Sequence, residues 1–118
     1  MKDTASGMKY LDRLIAGMLM NVVCFGMAHA GVPVYQIEIR EHLFYPAEIT
    51  IPAGQKVKLV VLNQDATPEE FESFELNREK GIKGKRKAVI FIGPLRPGRY
   101  PYFGEFHPET AQGLIIAE

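Results

Sequence analysis

Lys56-Val57-Lys58-Leu59-Val60-Val61-Leu62-Asn63 sets Val57, Leu59 and Val61 on one side of an extended chain and Lys56, Lys58 and Val60 on the other. Successive side chains of a strand point to opposite faces, so this period of two marks a strand with one buried face. Asn63-Gln64-Asp65 breaks it, and Pro52-Ala53-Gly54 makes a turn just ahead of it. Upstream, Val34, Gln36 and Glu38 alternate with Tyr35, Ile37 and Ile39, and a further run covers Ala47 to Ile51 behind Pro46. Downstream, Thr67 to Lys80 is harder. Glu69, Glu70, Glu72, Glu75 and Glu79 would suit a solvated helix, while Phe71, Phe74 and Leu76 only partly follow either period. A strand at the start of this segment and irregular chain after it is the expectation. Ala88 to Ile92 is β-branched and aromatic, Arg99 to Phe103 follows the turn pairs Gly93-Pro94 and Pro97-Gly98, and Leu114 to Ala117 is a last apolar strand. Six or seven short strands between Gly, Pro and Asn turns, with no amphipathic helix, predict an all-β sandwich of about seven strands.

The 118 residues allow one domain, and 14 basic against 14 acidic side chains leave no net field to draw nucleic acid or an anionic membrane surface. Cys24, the single cysteine, has no partner for an intramolecular disulfide. It sits in a segment with its own logic. Lys2, Lys9 and Arg13 precede the apolar run Leu14 to Met27, in which only Asn21 is strongly polar, and Ala28-His29-Ala30 follows as a small-x-small cleavage site. This predicts a signal peptide over 1–30 and a mature domain over 31–118 that begins at Gly31. A membrane anchor is disfavoured because about 14 apolar residues fall short of the ~20 that span a bilayer. Cys24 is followed by Phe25 rather than by a small-residue box, so a lipoprotein is disfavoured too. Gly81 to Lys87, with Lys83, Lys85, Arg86 and Lys87, reads as a solvated basic loop.

Gly98-Arg99-Tyr100-Pro101-Tyr102-Phe103-Gly104-Glu105-Phe106-His107 resembles the last strand and ligand loop of cupredoxins. Phe44-x-Pro46, Ile49-x-Ile51-Pro52-Ala53-Gly54 and Val57-x-Leu59-x-Val61-x-Asn63 resemble the early cupredoxin strands in the same order. The resemblance implies a Greek-key β-sandwich over the whole mature domain. In the family a cysteine, a histidine and a methionine share one loop, and a first histidine follows the strand-ending Asn by six residues. Gly104, His107, Gln112 and Glu69 take those places here. A blue-copper centre depends on its thiolate, so type-1 copper is not expected. The loop end offers oxygen donors and imidazole, which suit iron, manganese or Cu(II).

Asn63-Gln64-Asp65-Ala66-Thr67-Pro68-Glu69-Glu70-Phe71-Glu72-Ser73 and Gly104-Glu105-Phe106-His107-Pro108-Glu109-Thr110-Ala111-Gln112-Gly113 are similar to cysteine-free cupredoxins of bacterial ferrous-iron uptake. These are the cupredoxin domain of EfeO-type proteins and the stand-alone cupredoxin subunit of four-component ferrous-iron transporters. That resemblance implies a periplasmic component that binds an iron or copper ion and oxidises Fe(II) to Fe(III). Its implied partners are a periplasmic iron-binding protein and an inner-membrane iron permease. The expected ligands are His107, Glu69, Glu105 and, on the chain reaching the same end of the sandwich, His42. Glu70, Glu72 and Glu109 are weaker candidates, since clustered surface acids are usually only solvated. The rival functions are a non-catalytic copper or iron carrier and a metal-free interaction module.

Overall fold

The computed structural model describes residues 31–118; the expected signal peptide, 1–30, lies outside the described residues. In chain order the strands are β1 (Val34–Arg40), β2 (Leu43–Tyr45), β3 (Glu48–Ile51), β4 (Val57–Asn63) and β5 (Glu69–Ser73). They are followed by β6 (Arg78–Ile82), β7 (Lys87–Ile92), β8 (Gly98–Gly104) and β9 (Gln112–Ala117). One sheet has the order β2-β1-β4-β7 and the other β3-β9-β8-β5-β6. Two pairings are parallel, β1 with β4 and β3 with β9, and the rest are antiparallel. Parallel neighbours need crossovers, and here the chain makes them by passing from one sheet to the other.

The period-two faces form the core. Ile37 and Ile39 of β1 and Val57, Leu59 and Val61 of β4 are fully buried, and so are Phe71 of β5 and Ile115 of β9 across from them. Tyr102 of β8 joins Phe71 in a stacked contact with ring centroids 4.7 Å apart, and Phe44 meets Tyr102 edge-on at 4.9 Å. Truncating one such aliphatic side chain to Ala typically costs about 2–5 kcal/mol.

The fold class holds, and two strands are added to the expected set. Four residues of β6 run exposed before the buried Ile82, so no alternation marks it. It exists because Phe74 to Asn77 turns the chain back and β6 pairs along β5, with Glu72 opposite Glu79. The three residues of β2 are too few to show a period; a tight turn at Glu41 and His42, both at positive φ, folds them onto β1.

Candidate metal centre

Strand β5 alternates buried and half-buried, so Glu69, Phe71 and Ser73 face the interior and Glu70 and Glu72 face out. A carboxylate turned inward must find donors or lose its hydration uncompensated. Glu69 is 2 % exposed and finds three. Its Oε1 accepts the N–H groups of Glu70 at 2.8 Å and Phe106 at 2.9 Å, and its Oε2 accepts Nδ1–H of His107 at 2.8 Å. The His107 carbonyl accepts Ala111 N–H at 2.8 Å, and the Ala111 carbonyl accepts Gly104 N–H at 2.8 Å, closing the β8–β9 loop under the imidazole.

Gly104 is required by this arrangement. A Cβ there would lie 2.6 Å from Glu69 Cδ and 2.7 Å from the Ala111 methyl. The carboxylate of Glu69 therefore fills the space that a cysteine side chain would need. A thiolate-bound copper does not fit these residues.

His42 reaches the same end of the sandwich. Its ring stacks on that of His107 with centroids 3.5 Å apart and planes 11° from parallel, and Thr110 Oγ1 donates to its carbonyl at 2.9 Å. Asp65 builds the turn beneath it. Its two oxygens accept the N–H groups of Glu41 at 2.8 Å and His42 at 3.0 Å, and Oδ2 lies 3.5 Å from His42 Nδ1. Burial works against the ionised form of Asp65. The N–H groups of His42 and Glu41 and the charges of His42 and Lys85 outweigh it and hold the carboxyl below the usual aspartate range. Asp65 is thus a residue that motif spacing alone did not single out, although its place two residues after Asn63 in a turn is an Asx signature.

Three of the four expected ligands, Glu69, His107 and His42, converge; Glu105 goes elsewhere. The 2.8 Å between Glu69 Oε2 and His107 Nδ1 is a hydrogen bond, and is also near the ~3 Å between adjacent donors on one ion with bonds of about 2.1 Å. Two donors are few for one ion. The stacked imidazoles do not add a third, because an ion in the plane of one ring lies out of the plane of the other.

Among the described residues, the set of three or more His, Cys, Asp or Glu donors lying within 4.8 Å of one another is Glu70, Glu72, Glu79 and Glu105. It forms on the outer face of the β6-β5-β8 corner. Glu72 and Glu79 are direct cross-strand partners, and Glu105 is fixed by its N–H donating to the Glu70 carbonyl at 2.9 Å. Like charges facing each other across a sheet are unfavourable. Contacts with the Glu79 and then the Glu105 carboxyls, together with burial and the charges of both, push Glu70 up to about 7. Burial first and the charges of Glu79 and Glu105 next also raise Glu72. Glu70 Oε1 and Glu72 Oε2 are screened from solvent and accept no hydrogen bond from the described residues.

The model of the cupredoxin-like domain matches residues 13–117. The chain belongs to the cupredoxin-like family. This cupredoxin-like chain is also 44% identical over 81 residues to an uncharacterized protein of Rickettsia prowazekii, a match spanning 69% of this chain and 65% of that protein's length. Among solved structures it is similar to auracyanin A, a blue copper protein of Chloroflexus aurantiacus, with a TM-score of 0.64 and 15% identity over 75% of this chain and 100% of that one. The metal-binding domain of the Streptococcus pneumoniae Cu(I)-exporting P-type ATPase CopA, solved with Cu(I), gives 0.64 and 17% over 75% of this chain and 87% of that chain. A purple cupredoxin of Nitrosopumilus maritimus gives 0.55 and 21% over 70% and 98%. At these identities the likeness is one of fold.

Proposed function

We propose that this chain is a periplasmic component of ferrous-iron transport that takes Fe(II) on the outward carboxylates Glu70, Glu72, Glu79 and Glu105. The observation that carries the reading is the cluster itself: four carboxyls drawn together on one face, with the Glu70 carboxyl pushed up to about 7 by its neighbours. All-oxygen, anionic donors favour a hard cation over Cu(I). They also interact more strongly with Fe(III) than with Fe(II), which lowers the potential of the couple and favours oxidation by dioxygen. In that reaction each Fe(II) gives up one electron, and four electrons with four protons reduce one O2 to two waters. The resemblance to iron-uptake cupredoxins supports delivery to an inner-membrane permease, with a second periplasmic metal-binding protein as partner. Glu69, His107 and His42 hold the adjoining loops, and Glu105 is placed by the same loop.

Anaerobic titration with Fe(II) followed by admission of O2 tests the reading: binding near one equivalent and oxygen uptake faster than in a protein-free control are expected. Binding without accelerated uptake would leave a carrier, and no binding at neutral pH would overturn the proposal. Export is tested separately by the intact mass of periplasmic protein, which should begin at Gly31.

A further inference from the structure

The segment between β6 and β7 is exposed as its charge suggests, yet it is firmly held. Asn63 Nδ2 donates to the carbonyls of Thr67 at 2.8 Å and Ile82 at 3.2 Å, and Asn63 N–H donates to the Arg86 carbonyl at 2.8 Å. Lys85 N–H donates to the Asp65 carbonyl at 2.9 Å, and Lys85 Nζ donates to the Gln64 carbonyl. Gly84 packs so closely on the Ala66 carbonyl that a Cβ has no room. Lys80, Lys83, Arg86 and Lys87 therefore stand on a fixed backbone, and none of them is in an ion pair among the described residues. They line a cavity of about 580 Å³ whose floor is the buried Ile82 and Ala88.

This cavity borders the outer edge of β7, which pairs with no strand among the described residues. Lys58 N–H donates to the Pro33 carbonyl, so Lys58 turns its backbone groups away from β7. Its cross-strand partner Phe91, and by alternation Val89 and Lys87, then turn N–H and C=O away from β4 toward the edge. Arg78 Nε covers the Phe91 carbonyl at 3.0 Å. Lys87 and Val89 keep open ladder positions beside four unneutralised cations. Lysines along an edge repel a like strand and so guard against self-pairing. A strand with carboxylates at alternate positions reverses that sign, because its acidic side chains share one face at a spacing of about 7 Å.

We infer that the outer edge of β7 accepts an extended acidic segment of a partner protein as an added strand, with Lys80, Lys83, Arg86 and Lys87 pairing its carboxylates. Main-chain bonds to Lys87 and Val89 would supply affinity and the cations selectivity.

The test uses protein made from the complete reading frame and fluorescein-labelled (Val-Glu)4, with (Pro-Glu)4 as a control of equal charge that cannot donate at every other residue. Anisotropy should show (Val-Glu)4 binding about 10-fold or more tightly than (Pro-Glu)4, and a Lys83→Ser/Arg86→Ser/Lys87→Ser variant should lose a similar factor, as should high salt. Hydrogen exchange of the Val89 amide should slow on binding, a readout that needs no variant to fold. Equal binding of the two peptides, an unprotected Val89 amide, or preference for phosphatidylglycerol vesicles over (Val-Glu)4 would overturn the inference.

Discussion

Glu69 and Glu70 are adjacent residues of the same type on one strand, and β5 sends them to opposite faces. Glu69 is sealed inside with donors on both oxygens, so its charge is spent within the fold. Glu70 faces three other carboxyls, is pushed up to about 7 and keeps an oxygen with no donor among the described residues. A carboxylate whose oxygens are all satisfied by the chain is a structural part. One held among like charges and short of donors stores unfavourable energy that a cation would relieve.

The largest expected effect is on stability. Glu69→Ala strips the acceptor from two N–H groups and an imidazole in a buried site, and should cost about 3 kcal/mol in chemical denaturation. For a domain of this size that corresponds to a Tm lower by roughly 15 °C. Glu70→Ala, one residue on, should leave the metal-free protein as stable as the parent or more so.

A smaller effect is expected from pH. Glu70 in the folded chain holds its proton up to about 7, above the usual 4.5. The folded form thus binds more protons than the unfolded one between those values, and its stability is greatest below about pH 4.5 with respect to this group and declines as pH rises through about 7. Asp65 has the opposite sign, since its lowered carboxyl stabilises above the unfolded value of 3.8 and loses that contribution in acid. Thermal melts of metal-free protein should therefore show Tm falling from pH 5 to 8, and Glu70→Gln should flatten the slope. Saturating Mn(II) should flatten it as well.

Smallest is His42→Ala, which removes the stacked contact with His107 but leaves the Asp65 bonds to the turn N–H groups. A cost of about 1 kcal/mol is expected, the scale of one aromatic pair. A much greater loss would mean that His42, and not Asp65, sets the turn.

The fold was legible where one face is buried. In β4 every odd-numbered residue is buried and the even ones half-buried, so the period of two in the sequence is the burial pattern of the strand. In β6 four of five residues are exposed, and a strand held only by its neighbour leaves no such trace. The meeting of Glu69 with His107 was legible through family spacing, since both take ligand positions. The carboxylate quartet was not, because Glu79 enters it only through the cross-strand register of a hairpin that the sequence pattern hides. The cue was present in retrospect: Glu70 and Glu72 alternate outward on a strand, and a turn centred on Phe74 to Asn77 sets Glu79 opposite Glu72.

Calorimetric titration of Mn(II) at pH 7 into three proteins decides whether the cation binds the outward quartet or the buried Glu69–His107 pair. The parent and His107→Ala should bind within about threefold of each other. Glu70→Gln/Glu79→Gln should lose at least about 100-fold while melting no lower than the parent, given that even an outer partner of a metal ligand is worth 10–100-fold. Retained affinity in the double variant with loss in His107→Ala would contradict the account and return the site to the loop end.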